Sequence, residues 1–384
     1  MTTIERWSQT AQPALPPLRI TMLGLRGFPN VQGGVENHAQ NLSFRLAELG
    51  CDVEVIVRSP YVPSKSSRTW RNVSLVRIWS PRVKGVEAFL HTLLGVLRAG
   101  WTRPDILHIH AVGPALLTPL GRALGLRVVV THHVLNYENE KWGPFARSIL
   151  RLGESVGMIF ANGRIAVSQD LADHIKDTYQ VPVRVIPNGI GAPLKVQSTS
   201  TLQAFGLTRN RYALTVARID EQKRQLDVIE AFRRARPMGW KLALVGGADY
   251  SSEYARAVAQ AAKKTDGVVL LGHQTGEALA ELYTNAGVFV LPSSHEGQPI
   301  AVLESISYGC PVILSDIPAH REIGASNAEF VKTGDIAGLA DRLAAIVHAQ
   351  PGQRLDETER ARLMQVHDWR RIAQQTLDVY RAAL

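Results

Sequence analysis

Short β-branched runs alternate with stretches of helical periodicity along almost the whole chain, and few folds accommodate that alternation. Strand, helix and strand in succession is the pattern of a parallel sheet covered by helices. Two such series are readable. The first holds Arg19–Gly24, Val53–Val57, Val73–Ile78, Ile106–His110, Val128–Thr131, Arg164–Val167 and Val183–Ile186. The second holds Tyr212–Val216, Lys241–Val245, Val268–Leu271, Val288–Leu291, Val312–Leu314 and Phe330–Val331. Between them lie Pro187-Asn188-Gly189-Ile190-Gly191 and a stretch rich in Pro, Ser and Thr from Pro193 to Thr201, residues that turn a chain. A length of 384 residues agrees, because one core rarely grows past ~250–300 residues. The expectation is an α/β protein of two parallel-sheet domains.

Helix punctuation supports the scheme. Val35, Ala39, Leu42, Leu46 and Leu49 recur at near-helical spacing before a terminating Gly50, and Ser168 stands where an N-cap belongs before Leu171 and Ile175. Trp369 to Leu384 reads as a last helix. Hydrophobic residues make up 45% of the chain, which excludes a disordered class. Cys51 and Cys310 are the only cysteines, too few for a disulfide framework or a cysteine zinc cluster. The first 17 residues lack an apolar signal core, and no stretch is apolar for the ~18–20 residues that cross a bilayer. A cytoplasmic protein, soluble or peripheral on the inner face of a membrane, is expected.

The net charge of +9 is concentrated. Between Arg58 and Arg103 nine basic residues stand against one acid, Glu87, with Trp70, Trp79 and Trp101 interleaved. Such a segment suits an anionic membrane surface or an acidic acceptor; a merely solvated basic face is the alternative. Nucleic acid is not an expected partner, because no reading element accompanies the charge.

Three places carry chemistry. After the first strand, Gly24-Leu25-Arg26-Gly27-Phe28-Pro29-Asn30-Val31-Gln32-Gly33-Gly34 runs into a helix, whose free amides and positive dipole end suit a phosphate. Its glycine spacing is not that of dinucleotide enzymes, and Arg58 rather than an acid closes the second strand. Arg218 and Lys223 follow the strand Tyr212–Val216 at its carboxyl end, where open α/β sheets bind ligands, and two cations five residues apart can grip a diphosphate. After Val288–Leu291 comes Ser294-His295-Glu296-Gly297-Gln298-Pro299-Ile300-Ala301-Val302-Leu303-Glu304, with Glu296 expected in a loop and Glu304 about one turn inside a helix. The two carboxylates can hold separate parts of one nucleotide-sized ligand.

Glu296 and Glu304, with seven residues between them, resemble the Glu-x7-Glu motif of the retaining GT-B glycosyltransferases of family 4, which build bacterial polysaccharides and glycolipids. Gly33-Gly34-Val35-Glu36, Thr131-His132-His133, Ile186-Pro187-Asn188-Gly189, Val216-Ala217-Arg218 with Lys223, Leu244-Val245-Gly246 and Leu271-Gly272-His273 fall in the family's order, across residues 18–384. The resemblance implies two Rossmann-like domains facing a central cleft. Residues 18–190 are expected to form the acceptor-side domain and 191–368 the domain that binds a nucleotide-diphosphate sugar. Residues 1–17 are expected as a flexible tail, and 369–384 as a helix packed back on the first domain.

The same resemblance implies roles. Arg218 and Lys223 bind the diphosphate, Gly33 and Gly34 close on it, Glu304 holds the ribose, and Glu296 and His133 meet the donor sugar. His133, Glu296, Arg218 and Lys223 are the catalytic candidates. His273, Gly297, Gln298 and Ile300 complete the donor site. Two departures from the family pattern touch its sugar end: Gly297-Gln298-Pro299 replaces a glycine-rich triplet, and Val134 replaces a glycine. No Asp-x-Asp occurs, so no metal ligands and no cofactor are expected. The implied reaction is retaining, metal-independent sugar transfer to a lipid-linked or polysaccharide acceptor in cell-surface polysaccharide biosynthesis. A sugar-nucleotide epimerase, a phosphorylase or a non-catalytic nucleotide-sugar-binding partner stays open as an alternative.

Overall fold

The computed structural model describes residues 16–62, 67–83, 85–135, 137, 143–236, 238–248, 252–348 and 354–384. Most of the tail, together with Lys65 and Lys84 of the basic segment, lies outside them. The described residues form two sheets. The first contains β1 (Arg19–Leu23), β2 (Asp52–Arg58), β3 (Thr69–Trp70), β4 (Val73–Ile78), β5 (Ile106–His110), β6 (Val128–His132), β7 (Gly163–Ala166) and β8 (Arg184–Val185), in the order β3-β4-β2-β1-β5-β6-β7-β8. All its pairings are parallel except β3 with β4. The second contains β9 (Tyr212–Val216), β10 (Lys241–Val245), β11 (Val268–Gly272), β12 (Val288–Leu291), β13 (Val312–Ser315) and β14 (Ala328–Val331), in the order β11-β10-β9-β12-β13-β14, all parallel. The predicted runs match the observed strands to within a residue or two, and only Thr69–Trp70 was not anticipated.

The central strands β1, β5, β6, β9 and β12 are buried on both faces, as continuous apolar runs require when helices cover both sides of a sheet. Each sheet has its own core. One face of the first gathers Ile20, Met22, Leu42, Leu46, Val53 and Val55; one face of the second gathers Tyr212, Leu214, Phe289, Leu303 and Leu314. The helix α1 (Gly34–Glu48) buries Ala39, Leu42 and Leu46 and ends at Gly50 with φ +87°, whereas Leu49 is exposed.

The chain crosses between the sheets twice. After the first crossing, Ile190 forms a bridge with Asp368, and the Ile190 amide donates to the His367 carbonyl at 2.7 Å. The helix Trp369–Ala383 then places Trp369, Ile372, Ala373, Leu377 and Tyr380 in the first sheet's core. The two crossings therefore lie side by side.

The helix α2 (Val86–Thr102) turns a mixed, partly polar face inward. It buries Glu87, His91, Thr92, Gly95, Val96 and Ala99, and it exposes Val86, Phe89, Leu94, Leu97 and Trp101. Glu87 faces inward because Arg58 needs it: the guanidinium donates to Glu87 Oε1 at 2.9 Å, and Tyr61 Oη donates to Oε2 at 3.1 Å. The basic segment is therefore not a free stripe of charge, since Arg98 is paired with Glu54 as well.

Candidate active site

The loop after β1 is built around a buried ion pair. Arg26 Nε donates to Glu36 Oε1 at 3.1 Å and its backbone amide to the same oxygen at 3.2 Å, while Nη2 reaches the Gln32 carbonyl. Gly33 makes room for this pair, for a Cβ there would sit 1.9 Å from Glu36 Oε2. Burial raises the Glu36 pKa, but Arg26 and Arg218 outweigh it and hold the carboxyl below its ordinary value. Arg218 belongs to the second domain, so its charge reaches across the cleft. Gly34 opens α1 with empty space where a side chain would stand.

Further contacts close the cleft. Gln32 Oε1 accepts from the Gly247 amide at 3.1 Å, and Asn37 Nδ2 donates to Glu304 Oε1 at 3.2 Å. Gly297 lies against His133 so closely that a Cβ would fall 1.6 Å from the His133 carbonyl oxygen. Asn188 pins the first crossing: its amide and Nδ2 donate to Gln298 Oε1 and the Gln298 carbonyl, and its Oδ1 meets His38 Nδ1 at 2.8 Å.

On the second domain, Arg218 stands past β9, and the short turn Glu221–Lys223 carries Lys223 Nζ onto Glu296 Oε1 in the loop after β12. Both side chains are largely buried. Burial raises the Glu296 pKa, but Lys223 and then His320 outweigh it, and the carboxylate stays ionised. Glu304 lies in the helix Ile300–Ser307, as its spacing predicted. Burial pushes its pKa up, opposed by hydrogen bonds from Tyr283 Oη at 3.1 Å and from Asn37. The two acids thus sit in different electrostatic settings: Glu296 is tied to a cation, and Glu304 is held by neutral donors.

The expected residues sort clearly. Gly33, Gly34, His133, Arg218, Lys223, Glu296, Gly297 and Glu304 line one interdomain cleft. Ile300 is buried at the start of its helix. Gln298, expected at the donor, spends its side chain on Asn188. His273 is exposed beyond the edge strand β11 and follows Gly272, whose carbonyl accepts from the Gly246 amide at 2.8 Å. His132 points away from the cleft and pairs with buried Glu154 at 2.7 Å. Sequence reasoning passed over Gln32, Asn37, His38 and Tyr283. For Asn37 and His38 the signal was the polar run Glu36-Asn37-His38 on the first turn of an amphipathic helix, and for Gln32 its place in the glycine loop; Tyr283, on the helix Gly276–Asn285, left none.

The family model described as Glycosyltransferase Family 4 matches residues 32–192, and that described as Glycosyl transferases group 1 matches residues 201–364. The chain belongs to the family 4 type of GT-B glycosyltransferase. Its sequence is 28% identical, over 95% of its length and 99% of the relative's, to an α-maltose-1-phosphate synthase of Mycobacterium tuberculosis. It is also 28% identical, over 53% of each chain, to a GDP-mannose:cellobiosyl-diphosphopolyprenol α-mannosyltransferase of Xanthomonas oryzae pv. oryzae. The sucrose-phosphate synthase of Thermosynechococcus elongatus has the same fold, with a TM-score of 0.81, 21% identity, and 94% of this chain and 98% of that one covered. HepE from Anabaena in complex with UDP-glucose superposes with a TM-score of 0.72 at 18% identity, covering 94% and 98%. As a GT-B glycosyltransferase, the protein takes a nucleotide sugar as its donor. No helix among the described residues is long and apolar enough to cross a membrane.

Proposed function

We propose that the protein transfers a sugar from a nucleoside diphosphate to an acceptor hydroxyl with retention of anomeric configuration and without a metal ion. The observation that carries the reading is that Gln32 of the glycine loop and Asn37 of α1 bond Gly247 and Glu304 across the cleft, while Arg218 acts on Glu36 and Lys223 is tied to Glu296. When the bond from the anomeric carbon to the diphosphate oxygen breaks, negative charge grows on the leaving group. Arg218 and Lys223, with the amides at Gly33 and Gly34, are placed to receive it, so fixed protein charge takes the part of a divalent ion. The acceptor oxygen bonds to the same carbon on the same face, and its proton goes to the departing phosphate oxygen. His133 and Glu296 contact the sugar, and Glu304 accepts from the ribose hydroxyls once Asn37 yields to them.

For the acceptor we favour a lipid-linked saccharide or a polysaccharide precursor. One relative is named for a diphosphopolyprenol acceptor. The first domain also presents two apolar helix faces that no described segment covers. They are α2, with Phe89 and Trp101 exposed, and the helix Pro144–Phe160, with Phe145, Leu152, Ile159 and Phe160 exposed. Both pack against the short helices Val112–Ala115 and Thr118–Ala123, so they share one side of the sheet. Exposed aromatic and aliphatic side chains beside Arg82, Arg103 and Arg151 suit an anionic bilayer.

The test is nucleoside diphosphate release from a panel of nucleotide sugars, with and without acceptor, in EDTA, followed by the anomeric configuration of the product. Acceptor-dependent release that EDTA leaves intact supports the reading. Release that needs no acceptor points to hydrolysis or epimerisation, and loss in EDTA restored by magnesium or manganese overturns metal independence.

A further inference from the structure

Five histidines crowd the carboxyl ends of β5 and β6, and three of them converge. His38 on α1, His110 at the end of β5 and His133 just past β6 are all buried, and one ring nitrogen from each lies within 4.8 Å of the other two. His110 Nδ1 and His133 Nε2 are 3.1 Å apart, and the His38 ring stands edge-on to the His133 ring at 4.9 Å between centroids. Two nitrogens bound to one ion in a tetrahedral site are separated by ~3.3 Å, so the closest pair already has that spacing. His108, behind them, takes no part. Its Nδ1 meets Tyr380 Oη and its Nε2 meets Thr131 Oγ1, each at 2.7 Å.

The tautomer of His38 follows from its neighbours. Asn188 Nδ2 donates to the Gln298 carbonyl at 2.7 Å, which fixes the amide so that Oδ1 faces His38 Nδ1. Nδ1 must then carry the proton, and Nε2 carries a free lone pair. A histidine whose far nitrogen is held by a carbonyl-type acceptor is the usual arrangement of a metal ligand. At His110 it is Nδ1 that faces the cluster, while Nε2 is fully buried and has no partner among the described residues.

We propose that His38, His110 and His133 form a site for one borderline divalent ion of the zinc class, whose occupation withdraws His133 from the donor sugar. Three imidazoles without a carboxylate favour zinc, copper or nickel over magnesium or calcium. Such an ion has no role in sugar transfer. It acts as an inhibitor, and that consequence alone rests on the glycosyl-transfer reading; binding of the ion does not.

Tag-free protein stripped with EDTA is titrated with Zn²⁺ by calorimetry, and separately with Co²⁺ while the visible spectrum is followed. Saturable uptake of one ion, with the strong visible bands of tetrahedral cobalt, is expected. His38→Gln and His110→Gln each lose both signals, whereas His174→Gln, at a partly exposed histidine outside the cluster, keeps them. The cobalt spectrum of the unaltered protein needs no variant, so a folding defect does not decide the outcome. Zinc is expected to inhibit turnover and EDTA to restore it. No saturable uptake, or uptake unchanged in both cluster variants, overturns the site. Uptake without inhibition keeps the site and refutes its coupling to His133.

Discussion

Replacing Gly297 with alanine tests whether the closed cleft is the working form. The new methyl carbon would stand 1.6 Å from the His133 carbonyl oxygen and 2.7 Å from its carbon, where ordinary contact begins near 3.4 Å. The loop must therefore retreat by about 1.8 Å, because the obstacle is backbone and cannot rotate away. Glu296 is next in the chain and moves with it. Misplacing a catalytic group by ~1 Å costs on the order of 10² in rate, so kcat/KM should fall by at least that factor, or ~3 kcal/mol. The assay is nucleoside diphosphate release, run beside thermal melting. Gly191→Ala is the control, since nothing lies within 4 Å of the added carbon there. Full activity in Gly297→Ala, with a normal melting point, would refute the argument that these two loops meet during turnover.

Other outcomes follow from the same geometry. Lys223→Ala leaves Glu296 buried without its cation, so turnover should drop ~10²–10³-fold, read by initial rates, and the melting point should fall as well. Arg218→Ala should lower turnover similarly, read by the same initial rates. His91 is buried and its pKa is depressed to about 4 against an ordinary value of 6.5, by burial first and then by Arg58. The unfolded chain binds that proton at higher pH than the folded one does, so the stabilisation is complete above pH 6.5 and is lost as pH falls towards 4. Urea midpoints between pH 7 and 4.5 should drop less steeply in His91→Gln, by up to ~3 kcal/mol over the full window to pH 4. Trp101→Asp and Phe145→Asp, at side chains 89% and 80% exposed, should weaken sedimentation with anionic vesicles and leave melting unchanged. Equal sedimentation of these variants and the parent would remove the membrane reading.

The strands were legible because most are short runs dominated by β-branched and aliphatic residues: Val128–Val130 and Val288–Leu291 announce burial on both faces without reference to the rest of the chain. Thr69–Trp70 was not, since two residues paired antiparallel at an edge leave no pattern. Glu296 and Glu304 were readable because both lie on one short segment whose geometry follows from local rules. The partners that complete the cleft are far apart in sequence. Asn37 meets Glu304, Gln32 meets Gly247, and Asn188 meets Gln298, and no periodicity joins such pairs. His110 shows the same limit, for it reads as the last residue of a strand and gains meaning only beside His38 and His133. The inward face of α2 was hidden for the same reason: Glu87 is buried because it meets Arg58, 29 residues away in sequence.

The helix Trp369–Ala383 has a consequence for synthesis. On a ribosome, domains generally mature in the order in which they emerge. Here the stretch translated first lacks part of its interior until Trp369, Ile372, Leu377 and Tyr380 have left the exit tunnel, whereas the stretch between is already supplied with its own. The later-made half can therefore finish first, and the earlier one waits, incomplete and in need of protection, until that helix emerges.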